Sequence, residues 1–207
     1  MFSAGIILLE NIGFAQSFRC EMKIICKEKF LKEIDDFILK IKEGAVFVYP
    51  TDTIYGIGCD ARNEKAVSRI REIKGRERKP FSVLAPDEKW ILDNCVVDER
   101  MKKWLKKLPG AYTLILKLKS ECVACSVNLG CGTLGVRIPK HWFSDAVSFM
   151  EFPIVTTSAN KSGCRYMTSL EDADKSILEA VDFVIYEGEK KGKPSEIIGL
   201  NGGVLKR

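Results

Sequence analysis

One histidine, His141, is all that 207 residues offer. That scarcity removes the His-rich donor sets of catalytic zinc, and any design in which an imidazole activates a serine or cysteine could rest on that residue alone. No GxxxxGK[ST] run occurs, so a Walker loop is not how this chain holds a nucleotide. No apolar stretch approaches the ~20 residues of a membrane-spanning helix, and a membrane partner is not expected. Repeats, low-complexity tracts and Pro/Ser-rich linkers are also missing. With 46% hydrophobic and 29% charged residues, the composition suits one well-cored domain and leaves little room for two. The net charge of +5 is too mild to define a nucleic-acid binder, so the placement of the cations matters more than their sum.

Cysteine, in contrast, is plentiful at eight. Disulfide scaffolds are short chains that need staples, whereas this one has core enough, so the thiols read as reduced and the protein as cytoplasmic. Cys122-x2-Cys125 followed by Cys131 is the nearest approach to a metal motif, but it lacks a second close pair, and no metal ligands are assigned. The first residues, MFSAGIILLENIGFAQSF, imitate a signal peptide only in outline, because no basic region precedes the apolar stretch and Glu10 interrupts it. Met22, followed by Lys23-Ile24-Ile25, reads as an alternative start. Residues 1–22 are therefore treated as an extension or a mis-assigned start, and 23–207 as the domain.

Apolar residues at helical spacing from Phe30 to Ile41, with Gly44 behind them, predict a first helix. Ala45 to Tyr49 then reads as a buried strand feeding the loop TDTIYG. Asn63 can cap a helix bearing Ala66, Val67, Ile70 and Ile73 on one face, with Gly75 ending it. Downstream, FSVLA, TLILKLK, TLGVRIP, PIVTTSAN, FVIYE, EIIGL and GVLK read as strands. Helices are expected near Trp90, near Met101, from His141 to Phe149 and from Ser169 to Ala180. Strands alternating with helices in this way predict an α/β fold.

Four segments place polar groups at strand or helix ends, where α/β sheets hold ligands. Thr51, Asp52, Thr53 and Tyr55 form either an ordinary turn or a hydroxyl-lined wall for a small polar substrate. The run Lys74-Gly75-Arg76-Glu77-Arg78-Lys79 is either a solvated cluster at a helix C-terminus or a clamp for phosphates. Thr133 and Arg137 sit four apart on one strand face, and a buried arginine there demands an anion, whether a structural carboxylate or a substrate. Ser158 and Asn160 project to one side after an apolar strand, as a plain loop or as ligands.

Taken together, these motifs resemble those of the YrdC/Sua5 family of threonylcarbamoyl-AMP synthases. PTDTIYGIG is similar to the family's opening motif, KGR before PFSVLAP to its K-x-R motif, GTLGVRIPKH to its TVGVR-x-P-x-H stretch and TTSANKSG to its S-x-N motif. PSEIIGLNGGVLKR resembles the closing segment, so the likeness runs from about Ala45 to the C-terminus. The resemblance implies a single-domain twisted mixed β-sheet flanked by helices, with a deep basic cleft. It implies that Lys74 and Arg76 are catalytic, and that Arg76, Thr133, Asn160, Thr168 and Lys206 contact ATP. By the same resemblance Thr53, Tyr55, Arg137, Ser158 and Ser195 contact L-threonine. The substrates implied are ATP, L-threonine and bicarbonate, with Mg2+ accompanying ATP. The implied destination of the product is a tRNA threonylcarbamoyl transferase that modifies adenosine 37. Two rival readings are a module that binds tRNA or double-stranded RNA without chemistry, and a carbamoyl-adenylate-forming domain of the hydrogenase-maturation type. Leu84 stands where many members have histidine, Glu196 and Gly199 replace threonine and aspartate, and Lys206 replaces an arginine.

Overall fold

The computed structural model describes residues 23–205. The extension 1–22 and the expected ATP contact Lys206 lie outside the described residues. The chain begins with β1 (Lys23–Ile25), α1 (Lys27–Lys32), α2 (Ile34–Lys42), β2 (Phe47–Tyr49), β3 (Gly56–Gly58) and α3 (Glu64–Lys74). It continues through β4 (Ser82–Leu84), α4 (Glu88–Asn94), β5 (Cys95–Val96), α5 (Glu99–Leu105), β6 (Tyr112–Leu118) and α6 (Cys125–Asn128). The remainder is β7 (Thr133–Arg137), α7 (Trp142–Met150), β8 (Ile154–Ser158), α8 (Lys175–Ala180), β9 (Phe183–Ile185), β10 (Glu196–Ile198) and β11 (Val204–Leu205).

One mixed sheet runs β1-β9-β2-β3-β8-β4-β7-β6-β10-β11, with β5 pairing beside β6. Parallel neighbours such as β4 and β7 alternate with antiparallel ones such as β4 and β8, which is the mixed α/β sheet expected. Four elements were not anticipated, and each has a local reason. β1 and β5 are only three and two residues long, and α6 is a single four-residue turn, too short for periodicity to register. β3 was hidden because glycine disfavours strands. Here glycine is required: a Cβ on Gly58 would sit 2.3 Å from the Val155 carbonyl oxygen, and one on Gly56 would sit 2.9 Å from the Tyr49 ring.

The predicted first helix divides at Glu33, whose φ of −110° and ψ of 29° leave helical values. The break lets Phe30 and Phe37 meet at 5.2 Å between ring centroids. The predicted helix from Ser169 starts only at Lys175, because Asp174 caps it by accepting the Ser176 amide. Upstream, Asp172 holds the Thr168 and Ser169 amides in a turn instead.

Two apolar clusters sandwich the sheet. The larger packs α3, α4, α5, α6 and α8 against residues such as Val48, Ile57, Val83 and Val136. The smaller packs α1, α2 and α7 against Phe47, Tyr49, Leu84 and Ile154, with Tyr49 and Phe143 stacked at 4.6 Å. Strand alternation assigns these sets to opposite faces. On the second face, helices cover only part of the sheet.

Candidate active site

Pairing register shows what lies on the uncovered part of that face. Ser82 is opposite both Thr156 and Gly135, and Leu84 is opposite both Ile154 and Arg137. Moving along β4 from Leu84 to Ser82, the surface therefore changes from apolar core to hydroxyls. A cavity of about 350 Å3 opens there. Ser82, Thr156 and Ser158 floor it from β4 and β8, and Thr113 and Ser195 join from β6 and the segment before β10. Arg76, Lys79 and Arg137 supply its cations.

α3 delivers the first cation. Asn63 caps the helix by accepting the Ala66 amide at 3.1 Å. Ala66, Val67 and Ile70 bury its inner face, and Gly75, at φ +57°, turns the chain out. Arg76 then leans over the Phe81 ring at 5.2 Å and donates to the Pro80 carbonyl at 2.8 Å and to Thr157 Oγ1 at 3.4 Å. Arg137 comes from the end of β7, with its side chain 7% exposed, and donates to Asp52 Oδ1 at 2.6 Å. The other Asp52 oxygen accepts the Lys140 amide at 3.0 Å. Thus the structural carboxylate considered for Arg137 exists, yet Arg137 still lines the cavity. Its Nε and Asn160 Oδ1 are the buried side-chain polar atoms that lack a hydrogen-bond partner among the described residues.

Of the residues implied by the motifs, Arg76, Arg137, Ser158 and Ser195 share the cavity wall. Lys74 does not reach it. Its side chain is buried and its ammonium donates to the carbonyls of Ser158 and of Asn160, the latter at 2.5 Å. Burial, and then the charge of Arg76, bring its pKa down to about 7. Lys74 therefore clamps the Ser158-Ala159-Asn160 loop from behind. Asn160 is also turned inward, donating to the carbonyls of Lys161 at 2.7 Å and Cys164 at 2.8 Å. Thr53 is buried beside Thr51, their hydroxyls 2.9 Å apart.

Tyr55 is fully buried. Its hydroxyl donates to the Gly188 carbonyl at 2.7 Å and accepts the Glu187 amide at 3.1 Å, so it ties down the segment after β9. Desolvation raises its pKa far above the usual range. Thr133 Oγ1 lies 3.3 Å from Cys131 Sγ, and Thr168 Oγ1 donates to Asp172. Neither of these threonines lines the cavity.

Thr113, Thr156 and Ser82 were missed by sequence reasoning. Each sits inside a β-run, Thr156 directly before Thr157 and Ser158, and only pairing register tells which face it takes. The signal available was alternation: Thr156 shares parity with Ser158, and Thr113 pairs its hydroxyl with Ser195 at 2.8 Å.

A mixed α/β sheet with a hydroxyl floor and converging guanidinium groups defines a binder of small anionic substrates. The family model for Sua5, YciO and YrdC, described as telomere recombination, matches residues 40–206, and the chain belongs to that family. It is 39% identical over 180 residues to a Methanocaldococcus jannaschii protein provisionally named threonylcarbamoyl-AMP synthase, covering 84% of this chain and 83% of the relative. Pyrococcus abyssi Sua5 complexed with L-threonine superposes with a TM-score of 0.76 at 29% identity, over 86% of this chain and 54% of that one. Escherichia coli YciO superposes with a TM-score of 0.74 at 25% identity, over 87% and 90% of the two chains. The chain spans about half the length of the curated Pyrococcus abyssi and Bacillus subtilis relatives it matches, 48% and 43% respectively. No helix among the described residues is long and apolar enough to cross a membrane.

Proposed function

We propose that this chain synthesises threonylcarbamoyl-AMP from L-threonine, bicarbonate or CO2, and ATP. The observation that carries the reading is the convergence of Arg76, Arg137, Ser158 and Ser195, drawn from four distant motifs, on one cavity of a family member. In the reaction, the threonine amine takes up CO2 as a carbamate. A carbamate oxygen attacks the α-phosphorus of ATP, and pyrophosphate leaves. Nothing in that sequence needs a protein nucleophile, which accords with the single histidine. Positioning and charge stabilisation suffice.

Arg137 is held at one end by Asp52 and aims its remaining donor capacity at the threonine carboxylate. Arg76, at the cavity mouth, offsets charge on the phosphates. Ser158 and Ser195 orient the polar groups of threonine. Lys74 acts at one remove, fixing the loop that presents Ser158 and Asn160. Mg2+ enters this reading only as the companion of ATP. The cavity wall carries cations and hydroxyls and, among the described residues, no carboxylate, so these residues do not form a Mg2+ site and no step is assigned to the ion. The product would pass to a tRNA threonylcarbamoyl transferase for modification of adenosine 37.

The test is incubation of purified protein with ATP, Mg2+, bicarbonate and radiolabelled threonine. A labelled adenylate and equimolar pyrophosphate are expected. Arg76→Ala should lower threonine-dependent pyrophosphate release by about 100-fold or more, the scale of one lost transition-state donor. Near-normal release from that variant would sink the assignment. Tight tRNA binding by a protein that ignores ATP and threonine would favour the RNA-binding alternative.

A further inference from the structure

Arg71, on the last turns of α3, was not singled out by any motif. Its guanidinium is half-buried and stands in a frame of main-chain carbonyls. Nε and Nη2 donate to the Ser126 carbonyl at 2.8 and 2.5 Å, and Nη2 also approaches that of Val127 at 3.4 Å. Nη1 donates to the Arg76 carbonyl at 2.8 Å and lies 3.2 and 3.3 Å from those of Lys79 and Glu77. The guanidinium carbon also sits 4.5 Å above the Phe81 ring, the ring over which Arg76 lies. One side chain therefore joins the 76–80 loop to α6 and to Phe81, the residue just before β4.

This frame has no ligand-facing role, since every described donor of Arg71 goes to the main chain. It does set where Arg76 begins. The Arg76 amide is held by the Arg71 carbonyl at 3.0 Å, and the Arg76 carbonyl by the Arg71 guanidinium. A five-residue loop with no regular secondary structure, carrying exposed Glu77, Arg78 and Lys79, would otherwise sample many conformations. A planar fork carries donors on two edges and so reaches two separate chain segments, Ser126 on one side and Arg76 on the other. A lysine has the charge without the fork.

We propose that Arg71 is a positioning residue for the synthase reaction: it holds the Arg76 loop in the conformation that meets the ATP phosphates, and it does so without touching substrate. The proposal rests on the functional reading above, and the experiment separates the two. Arg71→Lys and Arg71→Gln are compared with wild type in three measurements. These are titration with a non-hydrolysable ATP analogue, titration with L-threonine, and the KM for ATP against that for threonine in pyrophosphate release. Thermal unfolding is followed in parallel.

Arg71 as a positioning residue predicts nucleotide affinity weakened by roughly tenfold or more, the scale of one lost charge-assisted hydrogen bond. Lysine should fail to rescue, and threonine affinity should stay near wild type. Unchanged nucleotide affinity in Arg71→Lys overturns the proposal. So does a parallel loss of threonine and nucleotide affinity that follows the drop in Tm, which is the mark of a merely structural residue. If wild type binds the analogue but forms no adenylate, the synthase reading fails while the nucleotide titrations still decide Arg71. A wild type that binds no ATP analogue overturns both.

Discussion

Lys74 shows how one side chain departs from the role its motif suggests. A lysine two residues before a cavity arginine invites a direct phosphate contact, yet its ammonium is spent on two carbonyls behind the wall. Its pKa falls from the usual 10.5 to about 7 through burial and then through Arg76. Between those values the unfolded chain binds a proton that the folded chain does not, so stability rises with pH across that window. Below about 7 the full cost of a charged buried amine is present. The Tm of wild type relative to Lys74→Met should therefore climb as pH increases from about 7 towards 10.5. A flat difference would refute that assignment.

Arg137 makes the converse point at the same scale. Asp52 neutralises it, and an unpaired guanidinium at that depth would be strongly destabilising. Leu84 is buried against the smaller apolar cluster directly opposite Arg137 in the β4–β7 ladder, so the residue in the family's histidine position serves as core here.

At the scale of elements, the cavity floor depends on how closely β4 and β7 approach. A Cβ on Gly135 would fall 2.3 Å from Ser82 Oγ and 3.3 Å from Ile115 Cδ1. Gly135→Ala should cost about 1 to 3 kcal/mol, the usual range for overpacking, measured by urea unfolding. It should also reduce pyrophosphate release, because the Ser82 hydroxyl must leave its place. Adding Ser82→Gly should return most of the stability, and a double variant no more stable than the single one would contradict the steric account. α3 belongs to the same scale. Its cap, its apolar face and its terminal Gly75 were all legible in advance, because helix signals are local. Which way Arg76 turns after Gly75 was not legible, because Arg71 and Phe81, though near in sequence, act only once α6 brings Ser126 against Arg71 and β8 brings Thr157 against Arg76.

At the scale of the whole molecule, strand order decides the site. β4, β6, β7 and β8 are neighbours in the sheet although the chain visits them with helices between. The same layering sorts the cysteines. Cys59 and Cys95 are buried, and burial raises the Cys59 thiol and lifts that of Cys95 to about 12. Among the described residues Cys26, Cys125, Cys131 and Cys164 are exposed, and the Thr133 hydroxyl lowers the pKa of Cys131. Maleimide labelling followed by peptide mapping should modify those four in the native protein. It should reach Cys59 and Cys95 only after denaturation. Native labelling of Cys59 would show that the β3 side of the core is open.

The sequence by itself determined the α/β class, most strand and helix positions, and the motifs that supply Arg76, Arg137, Ser158 and Ser195. These follow from periodicity, caps and residue chemistry acting over a few neighbours. Tertiary structure alone decided which polar groups face the cavity. Lys74, Tyr55 and Asn160 carry the right chemistry but are turned to main-chain partners, while Thr113, Thr156 and Ser82, none of them implied as a contact by the motifs, line the cavity. The physical reason is that a strand offers two faces, and only pairing with distant strands settles which face meets the core and which the cavity, while loop and helix-end groups such as Lys74 turn to whichever carbonyls the fold brings near.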